Sequence, residues 1–114
     1  MKTGALIRVG FAAVLAGVMV APAAADETGF ASMHTLARVG SKICMTDHWH
    51  YGNGTGSTKK AAQRDAIASW QSFTDFEYGS SWASFSRAIS KKASCTGSSG
   101  SVSCQVEARP CRRR

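Results

Sequence analysis

Carboxylates are scarce in this chain. Seven Asp and Glu stand among 114 residues, against fourteen Lys and Arg, and they are scattered. A paired-carboxylate centre for general acid–base work therefore has no support in the sequence. Nucleophilic chemistry is equally bare: serines abound, but none sits in a G-x-S-x-G elbow. The four cysteines, Cys44, Cys95, Cys104 and Cys111, include no C-x-x-C pair, which argues against a Cys-ligated zinc site. There is no internal repeat and no sign of a second domain. These absences turn the reading away from catalysis and toward binding or structural support, with no cofactor expected.

What is present begins with an address. Lys2 and Arg8 precede an apolar run over residues 9–21, and Ala23, Ala24 and Ala25 follow it as small residues. That order predicts a cleavable export signal over residues 1–25. The run is short for a membrane span, and no cysteine follows it, as a lipoprotein would require. The expected location is the periplasm or the exterior. The remaining 89 residues (26–114) make one small domain that benefits from covalent staples. An exported chain with four cysteines predicts two disulfides. After residue 25, twelve Lys and Arg face all seven carboxylates, a net +5. That excess suits solubility, and it also suits a polyanionic partner or an envelope component.

Residues 26–38 are mixed in character and predict a loose segment before a single domain over 39–114. Residues 42–51 alternate, with Ile43, Met45, Trp49 and Tyr51 on one side and Cys44, Thr46, His48 and His50 on the other, a strand signal. Residues 52–57 have no period and predict a loop. A helix follows, with Ala62, Ala66, Trp70, Phe73 and Phe76 on one side. Ser57 or Thr58 would cap its start and Gly79 would end it. Residues 84–95 suit a strand, with a short helix as the alternative over 82–92. Residues 102–108 alternate cleanly, and Pro110 stops them. The prediction is an α+β fold: a two-layer β-α-β-β domain with one amphipathic helix on a short antiparallel or mixed sheet.

Two stretches carry possible binding chemistry. The first, GTGSTKKAAQRDA from Gly54, resembles the last loop and helix of double-stranded-RNA-binding domains, through Gly54, Gly56, Thr58, Lys59, Lys60, Ala62 and Ala66. That resemblance implies an anion held at a helix N-terminus, where two lysines suit phosphate better than they suit the helix dipole. It covers about fourteen residues, and the chain before it is too short for the rest of that fold. With Arg112, Arg113 and Arg114 these residues form the candidate polyanion site, the other reading being a capped helix and a solvated terminus. The second stretch is DHWHYG. His48 and His50 lie two apart and would share one face of a strand, so they could bind zinc, copper or nickel if a third ligand arrived from elsewhere, such as His34, Glu107 or Asp26. The competing reading is a polar strand surface.

A wider pattern, C…H-x-H-x-G…A-x-x-x-A-x-x-x-W…Y-G-x-x-W…C…C…P-C, is carried by Cys44, His48, His50, Gly52, Ala62, Ala66, Trp70, Tyr78, Gly79, Trp82, Cys95, Cys104, Pro110 and Cys111. It resembles small exported bacterial proteins with no assigned activity, which implies location and class but no chemistry. The cysteine pairing follows from the strands. Cys95 and Cys104 bracket a Gly/Ser turn centred on Ser99 and Gly100, so in a hairpin they stand opposite each other. Cys44 is then left for Cys111. The competing pairing, Cys44 with Cys95 and Cys104 with Cys111, needs the last strand to fold back within six residues, which its alternation opposes.

Overall fold

The computed structural model describes residues 29–114 and Gly10; the expected export signal lies outside the described residues. A 3-10 turn, Gly29–Met33, leads into strand β1 (Leu36–Val39), and a two-residue turn at Gly40 and Ser41 returns it as β2 (Lys42–Met45). Strand β3 (His50–Gly56) runs into the long helix α1 (Lys59–Tyr78). Two short 3-10 turns, Ser80–Trp82 and Phe85–Arg87, connect it to β4 (Ile89–Ser98), β5 (Ser101–Arg109) and β6 (Cys111–Arg113). The fold is α+β, with two three-stranded antiparallel sheets in the orders β1-β2-β6 and β3-β5-β4.

Helix α1 begins and ends where its caps dictate. The Thr58 hydroxyl accepts a hydrogen bond from the Ala61 N–H at 3.1 Å, satisfying one of the free donors of the first turn. Gly79 closes the helix at φ +95°, a conformation that side chains avoid. The buried stripe is Ala62, Ala66, Trp70, Thr74 and Tyr78, each four residues from the last. The facing side of β3 is His50, Gly52 and Gly54. Four helical residues rise about 6 Å and two strand residues about 6.6 Å, so the two series stay nearly in step as the elements run past each other. Alanine meets glycine along this seam, and the backbones approach closely. A Cβ on Gly52 would lie 2.6 Å from the Trp70 N, and one on Gly56 would lie 2.8 Å from the Ala62 N.

Four expectations are corrected. Residues 52–57 are mostly strand rather than loop, because Gly52 and Gly54 spend their missing side chains on helix contact while their backbones pair with β5. The strand expected over 42–51 is broken at 46–49, which puts Tyr51 outside and His50 inside. Phe73 and Phe76 are exposed, since the narrow three-stranded sheet leaves all but the stripe of every fourth residue at least partly uncovered. From Gly29 onward the segment expected to be loose is the 3-10 turn and β1. Residues 82–92 divide between 3-10 turns and the start of β4, with a bulge between Ile89 and Lys92 around Ser90 at φ +54°.

Both disulfides match the sequence reading: Cys44–Cys111 joins β2 to β6, and Cys95–Cys104 joins β4 to β5, each between residues directly opposite in register. Pro110 separates β5 from β6 where the chain switches sheets, its carbonyl accepting the Met45 N–H. Two cores result. One holds Trp70 with Ala62, Ala66, Val106 and Ala108; the other holds Ala31, Met45, Tyr78 and Trp82. Among the described residues no helix is long and apolar enough to cross a membrane.

Candidate metal centre

The turn at Gly40 and Ser41 sets the first half of the site. Leu36 pairs with Met45, so extending the register brings Thr35 to Thr46 and His34 to Asp47. Both meetings occur. The Thr46 N–H and hydroxyl donate to the Thr35 carbonyl, the Thr35 N–H donates to Asp47 Oδ2 at 3.1 Å, and His34 Nδ1 lies 3.3 Å from Asp47 Oδ1. The second half comes from the helix–strand seam. One step beyond Gly52, His50 meets the last turns of α1, where Glu77 and Tyr78 wait. The Trp70 indole N–H pins this end of β3 by donating to the His50 carbonyl at 3.0 Å.

All three histidines of the chain converge here. The His34 and His48 rings stack at 4.8 Å, and the His48 and His50 rings lie edge to face at 5.2 Å. His50 Nε2 lies 3.0 Å from Glu77 Oε2 and 3.2 Å from the Tyr78 hydroxyl, which is 3.1 Å from His34 Nε2. One proton assignment satisfies three of these contacts: His50 Nε2–H donates to Glu77, Tyr78 O–H donates to His34 Nε2, and His34 Nδ1–H donates to Asp47. Ligand atoms of His48, His50 and Glu77 all lie within 4.8 Å of one another. Two of the five carboxylates among residues 29–114 are at this cluster in an otherwise basic domain.

The electrostatics favour neutral imidazole at the centre. Burial lowers the pKa of His50 against the opposing pull of the Glu77 carboxylate; although the pair is close enough for a salt bridge, desolvation dominates, so the contact is a neutral N–H on a carboxylate. Burial, then the Glu77 charge, raises the Tyr78 phenol above its ordinary range. The Thr35 N–H, then the nearby imidazole, holds the Asp47 carboxyl below its usual value. A cavity of about 340 Å³ opens beside the cluster, lined by His48, His50, Glu77, Phe73, Tyr51 and Asn53 with Trp49.

The sequence reading put His48 and His50 on one face of a strand; in the structure their rings lie 5.2 Å apart, but only His50 is in β3 and His48 lies in the connection before it. Of the three suggested outside partners His34 arrives, Glu107 sits on β5 opposite Tyr51, and Asp26 lies outside the described residues. Glu77 was missed; the matched spacing of the glycine and alanine series brings His50 to the C-terminal half of α1 but does not single out Glu77.

The candidate anion residues separate. Gly54 and Gly56 lie in β3 against α1 and shape no loop around a ligand. Lys59 and Lys60 start α1, while Arg112, Arg113 and Arg114 line a cavity with Ser80 and Ser81 just past its other end. A helix of 20 residues sets these groups about 30 Å apart. The lysines stand in a first turn without any acidic residue. Replacing both with Gln is expected to stabilise the domain slightly, by about 0.3–1 kcal/mol, in urea denaturation; a loss of stability would show that they make contacts of their own.

No protein-family profile, curated protein or solved structure matches the chain.

Proposed function

We propose that this is an exported, disulfide-stapled binding domain that holds one divalent transition-metal ion, zinc or copper(II), through His48, His50 and Glu77. The observation that carries it is the convergence of His48 and His50 on one carboxylate, with ligand atoms within 4.8 Å of one another, and with the third histidine, His34, stacked on the His48 ring. Ligands about 2.0–2.2 Å from a tetrahedral ion stand roughly 3.4 Å apart, so modest closure of the three suffices. The donor set is nitrogen and oxygen with no sulfur, which suits zinc or copper(II) over copper(I). The neutral His50 ligates through a ring lone pair, so if Nε2 holds the ion its proton moves to Nδ1 and no net proton is released near neutral pH. The Asp47–His34 pair supports the site at one remove, by holding the His34 ring that stacks on His48. The export signal read in residues 1–25, and the likeness to small exported bacterial proteins, belong to the same proposal. Two disulfides suit an oxidising compartment.

Titration of the metal-stripped, oxidised domain with zinc and with copper(II), followed by calorimetry and imidazole NMR shifts, tests this. One equivalent is expected to bind. His48→Ala and His50→Ala should each weaken binding at least about 100-fold, and Glu77→Gln by about 10–100-fold. Because burial already holds His50 neutral, affinity should be full near pH 7.5 and fall as acid protonates the imidazole below about pH 6. A domain that shows no saturable binding near neutral pH ends the proposal.

A further inference from the structure

A second cluster of one charge sits past the C-terminal end of α1. Arg87, from a 3-10 turn in the middle of the sequence, meets Arg112, Arg113 and Arg114 around a cavity of about 530 Å³ whose other lining residues are Ser80 and Ser81. Lys42 joins them. It stands directly opposite Arg113 across the β2–β6 pair, and its ammonium donates to the Arg87 carbonyl at 2.9 Å. Like charges opposed across strands weaken a sheet, and this one has only three short strands. Helix dipoles favour cations at this end, but a half charge does not balance five. Among the described residues no carboxylate forms an ion pair with Arg87, Arg113 or Arg114. The forks are also fixed. Arg87 donates through Nη1 to the Ser81 carbonyl at 3.1 Å, and Arg112 through Nη1 to the Arg113 carbonyl at 2.9 Å.

We infer that this cavity binds a phosphate group. Guanidinium forks match the paired oxygens of a phosphate bidentately, and the two serine hydroxyls supply further donors. Four arginines converge on one cavity, with Lys42 beside them, rather than following a stripe, which suits a single phosphate or a headgroup better than a nucleic-acid backbone. The volume holds more than a bare ion, so the phosphate comes either free or on an anionic phospholipid. The site uses no residue of the metal centre.

The test is run on the oxidised domain with chelator present, so that its outcome is separate from that of metal binding. Inorganic phosphate is titrated by calorimetry in a non-phosphate buffer. Retention on phosphatidylglycerol vesicles is compared with retention on phosphatidylcholine. Saturable phosphate binding is expected in the millimolar range or tighter. Arg87→Gln and, separately, the exposed Arg113→Gln should each weaken it at least about tenfold. The Lys59→Gln/Lys60→Gln variant, with charge removed from the other end of the helix, should stay within about twofold. If Arg87→Gln fails to fold, Arg113→Gln carries the comparison alone. Vesicle retention that needs phosphatidylglycerol and falls with the same arginine variants identifies the headgroup as the source; phosphate binding without such retention identifies the free ion. Absence of saturable phosphate binding up to about 10 mM, or equal losses in the lysine and arginine variants, overturns the inference.

Discussion

Replacing Gly54 with alanine is expected to destabilise the domain by about 3 kcal/mol or more. A Cβ there would run into the Ala62 carbonyl oxygen and lie 2.7 Å from the Asp65 carbonyl carbon. These are backbone atoms of α1, so no rotamer change relieves the clash. The helix must lift, and the seam of Ala62, Ala66 and Trp70 opens along with it. For a domain of this size, with total stability on the order of 5–15 kcal/mol, the expected fall in melting temperature is about 12–24 °C. Gly40 is the contrasting case. A Cβ there meets nothing within 4 Å, so Gly40→Ala meets only the strain of φ +61°, about 1–2 kcal/mol. Urea denaturation of the two variants side by side decides it, and a Gly54→Ala loss no larger than the Gly40→Ala loss would refute the seam. The same lift would part His50 Nε2 from Glu77 Oε2, now 3.0 Å apart, so zinc affinity should fall although no ligand has been changed.

That seam also explains what the sequence hid. Strand propensity describes side chains that fit a pleated, half-buried surface. In β3 the buried neighbour is a helix face of alanines, and the best fit is no side chain at all, so H-Y-G-N-G-T-G carries loop composition while being a strand. Phe73 and Phe76 misled for the opposite reason: apolarity marks them for burial, but the sheet is too narrow to reach them. The helix itself, its Thr58 cap and Gly79 stop, and the hairpin around Ser99 and Gly100 were legible because each rests on local chemistry. The pair His48 and His50 was legible as a motif. Its partners were not, since His34 arrives through the register of a hairpin whose strands are only four residues long, and Glu77 arrives through helix–strand matching.

Loss of the Cys44–Cys111 bridge is expected to be the costlier of the two disulfide deletions. Its cysteines are 67 residues apart, against nine for Cys95 and Cys104. On the chain-entropy model these loops contribute about 4 and about 2.5 kcal/mol respectively. Context widens the gap. Cys95 and Cys104 lie on a long hairpin whose two strands stay paired by their own ladder from Lys92 to Ser101. Strand β6 pairs with β2 over only three residues, one of them the bridged Cys111 itself. With both sulfurs replaced by alanine, β6 should detach. Two buried side chains, Cys44 and Cys111, lose their packing, and Arg112, Arg113 and Arg114 leave Arg87. The bend that carries His48 lies four residues beyond Cys44 and should loosen with β2. The Cys44→Ala/Cys111→Ala variant is therefore expected to unfold at a lower urea concentration than Cys95→Ala/Cys104→Ala, and to bind both phosphate and zinc more weakly. Zinc should recover part of the lost stability, because an ion that binds only the folded form stabilises by about 2.7 kcal/mol at a hundredfold excess over its Kd. Equal midpoints for the two double variants would show that β6 is held by something other than its bridge. Full phosphate affinity in the Cys44→Ala/Cys111→Ala protein would separate the arginine cavity from the sheet that is here taken to build it.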